Sequence, residues 1–406
     1  MQAQLERRNR EMYSHVHKIK VSIWNKVVGT IVATHRQNSY AFAYDKDFLK
    51  SGIEISPLGM PLSKKVYCFD SFVAFNYLPP VFADSLPDSF GNSLINVWMR
   101  KQGIPIENIT PLDKLAYIGQ RGIGALTYEP IRSPYREKPF AIDLRNVIDS
   151  SRQILNSEIQ DMDGDDALRS IIRVGSSAGG AQAKAVVGWN KQTNEFLVGD
   201  HTLPDEFEHW ILKITPNEFP NRGKTEFEIY QRAIDSGITM SYSELYKLDG
   251  VEHFITKRFD RDKGKRHHVV SFSAMAHLPM IAPQEHRSYE QLLACAQELG
   301  LDYSGLEQLF RRIAFNVYIN ECDDHTKNFS FLLKEEGEWE LSPAYDLTGS
   351  KFDSNDPWNS SSSKHQLSVN GKFSSITDDD LLKLADNFGI GSASAILKEI
   401  KPKVIY

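Results

Sequence analysis

Cysteine is scarce in this chain: three residues in 406, Cys68, Cys295 and Cys322, with no metal-ligand spacing among them. An odd number leaves no framework of fully paired disulfides, so a reducing cytoplasm is the simplest home. Long apolar runs are missing, and none approaches the roughly 20 residues that a membrane-spanning helix needs. Met1 to Arg10 is polar and charged with no apolar core behind it, which argues against a secretory signal. An excess of basic charge is absent too: at a net charge of −6 the chain is not built to bind nucleic acid by bulk electrostatics. There is no Walker A loop, dinucleotide fingerprint, internal repeat or coiled-coil heptad. What is present, 41% hydrophobic residues over 406 positions, is enough for one large or two medium cores.

The most informative stretch is Asp323-Asp324-His325-Thr326-Lys327-Asn328, with Tyr345-Asp346-Leu347 beyond a hairpin-like segment. An Asp and an Asn five residues apart, followed by a second Asp, is the order in which protein kinases assemble a catalytic loop and a magnesium site. One carboxylate takes or orients the proton of the attacking hydroxyl. The amide and the second carboxylate hold Mg²⁺ against phosphate, because hard cations prefer oxygen. Asp323 and Asp324 are equally the residue type that fills turns and caps helices, so this spacing alone decides little. Leu306, Phe310, Ile313 and Val317 recur at helical spacing behind an expected capping box, Ser304 with Glu307, so a helix delivers the chain to Asp323. Past the loop Phe329, Phe331 and Leu333 alternate with their neighbours. Glu335 to Glu338 turns and Trp339 and Leu341 resume, predicting a hairpin that returns Asp346 to the loop.

Upstream, Ser176-Ser177-Ala178-Gly179-Gly180-Ala181-Gln182-Ala183-Lys184 is a small-residue loop entering the apolar run Ala185-Val186-Val187. With few side chains in the way, its backbone N–H groups can approach phosphate oxygens, although a plain flexible turn has the same composition. Trp210 to Ile214 puts Lys213 inside a strand-like run, where a lysine either faces solvent or neutralises nucleotide phosphates. Glu226 to Ala233 reads as a helix, with Glu228 as the expected partner of Lys213 and Glu226 as its competitor. The basic cluster from Lys257 to His268, broken by Asp260 and Asp262 around Gly264, reads as a solvated loop.

The expected organisation is a polar leader over 1–20, a small sheet-rich subdomain over 21–130, a connector and nucleotide-binding sheet over 131–257, and a helical catalytic lobe over 258–406. Val27 to Val32 and Ser39 to Tyr44 read as strands. Ser288 with Gln291, and Thr377 with Asp380, open helices that Gly300 and Gly389 end. Asp161 to Asp166 is an acidic helix-entry turn without the closing Glu of a calcium loop, and Lys351 to Lys364 is a Ser-rich surface loop. Cys322, beside Asp323, reads as a buried and inert thiol.

With those residues in place the chain resembles the HipA-type serine/threonine kinases, toxins of bacterial toxin–antitoxin modules. The resemblance runs from about residue 20 to about 395 and is carried by Ser177 to Lys184, Leu212-Lys213, Lys257 to Arg261, Asp323 to Asn328, Pro343 to Asp346 and His365 to Lys372. Gly119 to Leu126 with Tyr128-Glu129-Pro130 looks like the end of the family's amino-terminal subdomain. The resemblance implies an α+β, two-lobed protein-kinase-like fold. It implies Asp323 as catalytic base, Asn328 and Asp346 as Mg²⁺ ligands, and ATP as the phosphoryl donor. Nucleotide contacts would come from Ala178, Gly179, Gly180, Ala181, Gln182, Lys184, Lys213, Lys257, Phe259, His325, Lys327, Asn328, Tyr345 and Asp346. Ser177 falls where the family places an inhibitory autophosphorylation site, with Ser176 adjacent. Implied partners are a HipB-like, DNA-binding antitoxin, through which DNA is mainly met, and a protein substrate such as an aminoacyl-tRNA synthetase; no membrane is involved. An antitoxin-binding co-repressor with weak catalysis and a small-molecule phosphotransferase are the alternatives; the latter leaves Ser177 and the amino-terminal subdomain unexplained.

Overall fold

The computed structural model describes residues 14–36, 38–132, 140–155, 182–199, 202–280, 283, 286–349 and 364–404. They fall into two compact units, one drawn from Met1–Gly52 and Ser63–Ile211, the other from Ile53–Leu62 and Leu212–Tyr406.

In the first unit β1 (Lys18–Ile23) and β2 (Lys26–Ala33) form a hairpin whose two turn residues, Trp24 and Asn25, both have positive φ. That is the turn geometry whose twist matches paired strands. With β3 (Tyr40–Tyr44), β4 (Tyr67–Cys68) and β5 (Thr127–Glu129) they make an antiparallel sheet in the order β4-β3-β2-β1-β5. Ile19, Val21 and Ile23 alternate inward along β1, as a half-buried strand requires. Helices α1 (Pro80–Ala83), α2 (Ser89–Lys101) and α3 (Pro111–Ile118) supply Phe82, Leu94 and Leu115 to the unit's core. Thr110 and Asp113 form a capping box on α3, and Asp113 also accepts from the Val16 N–H at 2.9 Å and the His15 ring at 2.8 Å. Helix α4 (Leu144–Leu155) follows, then the β6 (Lys184–Asn190) and β7 (Glu195–Val198) hairpin. The boundary between the units falls inside β8 (Glu208–Lys213).

In the second unit α5 (Arg222–Asp235) lies on the hairpin of β9 (Ser243–Leu248) and β10 (Val251–Lys257), which turns at Asp249 and Gly250, both at positive φ. A short β11 (Arg261–Asp262) and β12 (Lys265–Arg266) ribbon leads to β13 (His268–Ser271), which pairs with β14 (Ser330–Leu333), itself paired with β15 (Trp339–Leu341). The helices are α6 (Phe272–Met275), α7 (Tyr289–Glu298), α8 (Tyr303–Ile319), α9 (Asp378–Asn387) and α10 (Ala393–Val404). Capping boxes Ser288–Gln291 and Thr377–Asp380 start α7 and α9, and Gly300 and Gly389 follow their ends at positive φ. Residues 53–62 join this unit through Ile55, whose carbonyl accepts from His268 Nε2 at 2.8 Å. Burial pushes that imidazole down to about 4, so it is a neutral donor.

Three sequence expectations change here. The cap of α8 is Asp302, not Ser304: its carboxylate takes the Gly305 N–H at 2.8 Å and also the Ser304 hydroxyl at 3.0 Å, so the serine is spent on the stronger acceptor. All four residues of β14 are buried, so both faces of the strand are covered and the alternation in its sequence does not sort inside from outside. The basic cluster is only partly a solvated loop. Arg258 and Asp260 are buried and paired through two bonds, 2.8 and 2.7 Å, and Arg261 adds a third at 2.6 Å; exposure begins at Asp262 and ends at Lys265.

Gly223 sets how closely α5 approaches β10. A methyl group there would come 2.4 Å from the Glu252 carbonyl oxygen and 3.0 Å from the Phe254 nitrogen, both backbone atoms that cannot swing aside. Gly223→Ala is expected to lower stability by about 1–3 kcal/mol despite alanine's better helix propensity. A urea melt at or above wild-type midpoint would show that the helix has room to spare.

Candidate active site

The centre of the second unit's polar chemistry is Lys213, the last residue of β8. It is 7% exposed, and its ammonium lies 2.6 Å from Asp346 Oδ1 and against Glu226 Oε1. Burial alone would lower its pKa, but the two carboxylates and their hydrogen bonds outweigh that and raise it, so the lysine is held charged. Glu226 is buried on the inner face of α5. Glu228, the expected partner, lies farther round the helix, half exposed, with Lys224 as its neighbour at 4.0 Å. The helical period decides this: two residues advance about 200°, so when Glu226 faces the strand Glu228 faces away.

The expected catalytic-loop segment follows α8. Asn320, in the left-handed conformation, ends the helix, and the chain reaches Asp323 after a short extended stretch. The His325 N–H donates to the Asp323 carbonyl at 2.8 Å and Asn328 Nδ2 to the same oxygen at 2.7 Å, closing a tight loop with a 3-10 turn at Thr326–Asn328. Solvent reaches the Asp323 side chain, yet the surrounding loop desolvates its carboxyl enough to push it up to about 6. The negative charges of Asp346 and Asp324 add to the rise, and Arg222 opposes it. A carboxyl in that range is suited to accept a proton near neutral pH.

Asp324, to which the sequence assigned no role in the chemistry, is a buried anchor. Its carboxylate accepts from the Tyr289 hydroxyl at 2.5 Å, the His365 ring at 2.9 Å and the Gln366 N–H at 2.6 Å. Asn316 on α8 donates to the Tyr289 oxygen at 3.2 Å. The late His365 to Lys372 motif therefore fastens the loop from behind. The signal for this was present in sequence as two successive acidic residues, only one of which the chemistry needs.

The other expected site residues are distributed unevenly. Tyr345 donates to the Lys327 carbonyl at 2.7 Å, accepts from Ser330 at 2.6 Å, and stacks on Phe259 with ring centres 5.9 Å apart. The Lys257 N–H goes to the Tyr242 carbonyl at 2.9 Å. Burial lowers the pKa of His325, keeping its ring neutral. Lys184, first in β6, is buried, and Gln182 is half-buried just before it; both belong to the first unit. Ser176, Ser177, Ala178, Gly179, Gly180 and Ala181 lie outside the described residues, as do the acidic turn at 161–166 and most of the 351–364 loop. Cys322 is buried, with Asn320 Nδ2 3.2 Å from its sulfur.

The donor set suits a hard cation. Asn328 gives its amide nitrogen to the loop, so its remaining polar atom is an amide oxygen, and Asp346 offers a carboxylate on a residue with φ of +56°. Mg²⁺ is commonly taken up by one or two carboxylates completed by phosphate oxygens and water. A left-handed aspartate is an uncommon conformation that persists where its surroundings over-determine it, often at functional sites.

Comparison with known proteins agrees over most of the chain. A family model described as the HipA N-terminal domain matches residues 19–129, and one described as the HipA-like C-terminal domain matches 176–405. A Haemophilus influenzae protein named "Putative kinase" is 23% identical over 252 residues, 55% of this chain and 72% of that one. "Putative kinase Y4dM" of Sinorhizobium fredii is 25% identical over 170 residues, 38% of this chain and 41% of that one. Among solved structures, Shewanella oneidensis HipA, in a complex with HipB and its operator DNA, superposes with a TM-score of 0.66 at 16% identity, covering 95% of this chain and 88% of that one. The fold is thus α+β and of the two-lobed protein-kinase-like kind.

The pairing of Lys213 can be tested by stability alone. Glu226→Ala is expected to cost about 3 kcal/mol, because it strips one counter-charge from a buried ammonium. Glu228→Ala should change stability by less than about 0.5 kcal/mol, as a surface substitution. Urea melts of equal midpoint for the two variants would assign the partner wrongly.

Proposed function

This chain belongs to the HipA family, whose C-terminal-domain model alone spans more than half of it, and we propose that it is an ATP- and Mg²⁺-dependent protein serine/threonine kinase acting as the toxin of a toxin–antitoxin pair. The observation that carries the proposal is Asp323, a carboxyl raised to about 6 on a loop that also presents Asn328, with Asp346 held nearby by Lys213.

When bound, Mg²⁺ and ATP supply the phosphoryl group and neutralise charge as it is transferred. The chain's own residues do the rest. Asp323 accepts the proton of the serine or threonine hydroxyl. Asn328 and Asp346 would hold the cation. Lys213, held charged and pinned by Glu226, would contact phosphate. The backbone around Lys257 and Phe259 would meet the adenine; the Phe259 ring stacks on Tyr345, and the Lys257 N–H is engaged by the Tyr242 carbonyl. The family resemblance also names Gln182, Lys184, the small-residue loop before them, His325 and Lys327 as nucleotide contacts.

A HipB-like antitoxin is the proposed partner, supported by a structural relative solved with HipB and operator DNA; DNA is met mainly through it. The family resemblance points to an aminoacyl-tRNA synthetase or another translation component as substrate. No helix among the described residues is long and apolar enough to cross a membrane.

Asp323→Asn should lower phosphoryl transfer by about 10²- to 10⁴-fold while leaving Mg²⁺–ATP affinity nearly unchanged, since no metal ligand is lost. The base is the deprotonated carboxylate, so wild-type kcat/KM should fall as pH drops through about 6. An acid limb near 4, or wild-type turnover in the variant, would remove Asp323 from the role.

Ser177 is the proposed site of inhibitory autophosphorylation, with Ser176 as the fallback. A phosphate there adds about −1.5 to −2 charges where a second polyanion must bind. Intact-mass analysis after incubation with Mg²⁺–ATP should find one added phosphate in wild type and none in Asp323→Asn. Peptide maps clean at both serines would end the autoinhibition idea and leave the kinase assignment standing.

A further inference from the structure

Glu321 is 1% exposed and lies two residues before Asp323. One of its carboxylate oxygens accepts the Asp323 N–H at 2.9 Å. The other accepts the N–H groups of Thr348 and Gly349, each at 2.7 Å, and faces the Thr348 hydroxyl at 3.3 Å. Thr348 lies two residues after Asp346. A single carboxylate therefore bonds both to the backbone beside the proposed base and to the backbone beside the proposed metal ligand.

Glu321 is itself fixed, because its own N–H donates to the Asn316 carbonyl at 2.8 Å, at the end of α8. On the other side of Asp346, Arg312, also on α8, donates to the Ser342 carbonyl. The segment from Ser342 to Gly349 is thus tied down at both ends, with left-handed Asp346 between the ties. From this geometry, and resting on the kinase reading above, we infer that Glu321 is a positioning residue that sets the separation of Asp323 from Asp346. Its carboxylate acts through the backbone N–H groups of Asp323, Thr348 and Gly349. Charge-assisted bonds to backbone N–H groups are short and directional, which is what a spacer of this kind requires.

Glutamine separates this role from mere space filling. Glu321→Gln keeps the shape but has one acceptor oxygen in place of two, and its NH₂ group must oppose at least one of the N–H donors. Either Asp323 or the Thr348–Gly349 pair is then released.

The experiment uses the full chain and a non-hydrolysable ATP analogue, with affinity measured by calorimetry in the presence and absence of Mg²⁺. In E321Q the affinity without Mg²⁺ should match wild type, while the Mg²⁺-dependent gain falls by about 10- to 100-fold, the usual cost of losing a group that orients a metal ligand. A purely structural role would move both affinities together. A gain equal to that of wild type overturns the inference. Amide exchange of wild type gives an independent reading that needs no variant: Asp323, Thr348 and Gly349 should exchange slowly as a set, and exchange at the rate of exposed loop amides overturns the inference as well. If wild type itself shows no Mg²⁺-dependent gain, the kinase reading fails; a wild-type gain left intact in E321Q retires Glu321 alone.

Discussion

A buried ammonium must find counter-charge, and in this protein Lys213 finds it twice, in Glu226 and Asp346. Satisfying that one cation links three separate pieces of chain: the end of β8, the inner face of α5 and the loop after β15. Each piece has to arrive at the right depth. Gly223 lets α5 lie directly on the backbone of β10, which brings Glu226 within reach. The paired strands β14 and β15 return the chain toward Asp346.

The same physics recurs one layer out. Asp324 and Glu321 are also buried, and each is surrounded by donors: a phenol, an imidazole and an N–H for the first, three N–H groups for the second. Buried carboxylates are tolerable only when hydrogen-bonded in this way, and once bonded they leave their loops few ways to move. Asp323 differs from both. Among the described residues no such donors reach it, and desolvation first, then two like charges, push its carboxyl up to about 6 while its neighbours serve as fasteners. That contrast between a satisfied shell and an unsatisfied centre supports the proposal that Asp323, and not Asp324, accepts the proton.

Much of the second unit was legible beforehand, because its signals are local. The capping boxes at Ser288 and Thr377, the glycines at 300 and 389, and the apolar spacing along α8 are each decided within a few residues of chain. The cap of α8 was misplaced by two residues because two plausible acceptors stand close together, and the winner is the carboxylate that binds both the helix and the serine. The buried Arg258–Asp260–Arg261 cluster could not be told from a solvated charge run, since charge patterns carry no record of what covers them.

Residue identities and spacing by themselves determined which chemistry was available: an Asp and an Asn five apart, a later Asp, a lysine in a strand and a small-residue loop, with membership of the HipA family following from the same motifs. They could not determine which of two glutamates meets Lys213, or which of two adjacent aspartates is anchored. Those choices turn on the angle at which a helix faces its strand and on donors contributed from Tyr289, His365 and Thr348, distant in sequence. Long-range hydrogen bonds between buried groups form only when the chain has packed, so tertiary structure alone decided them.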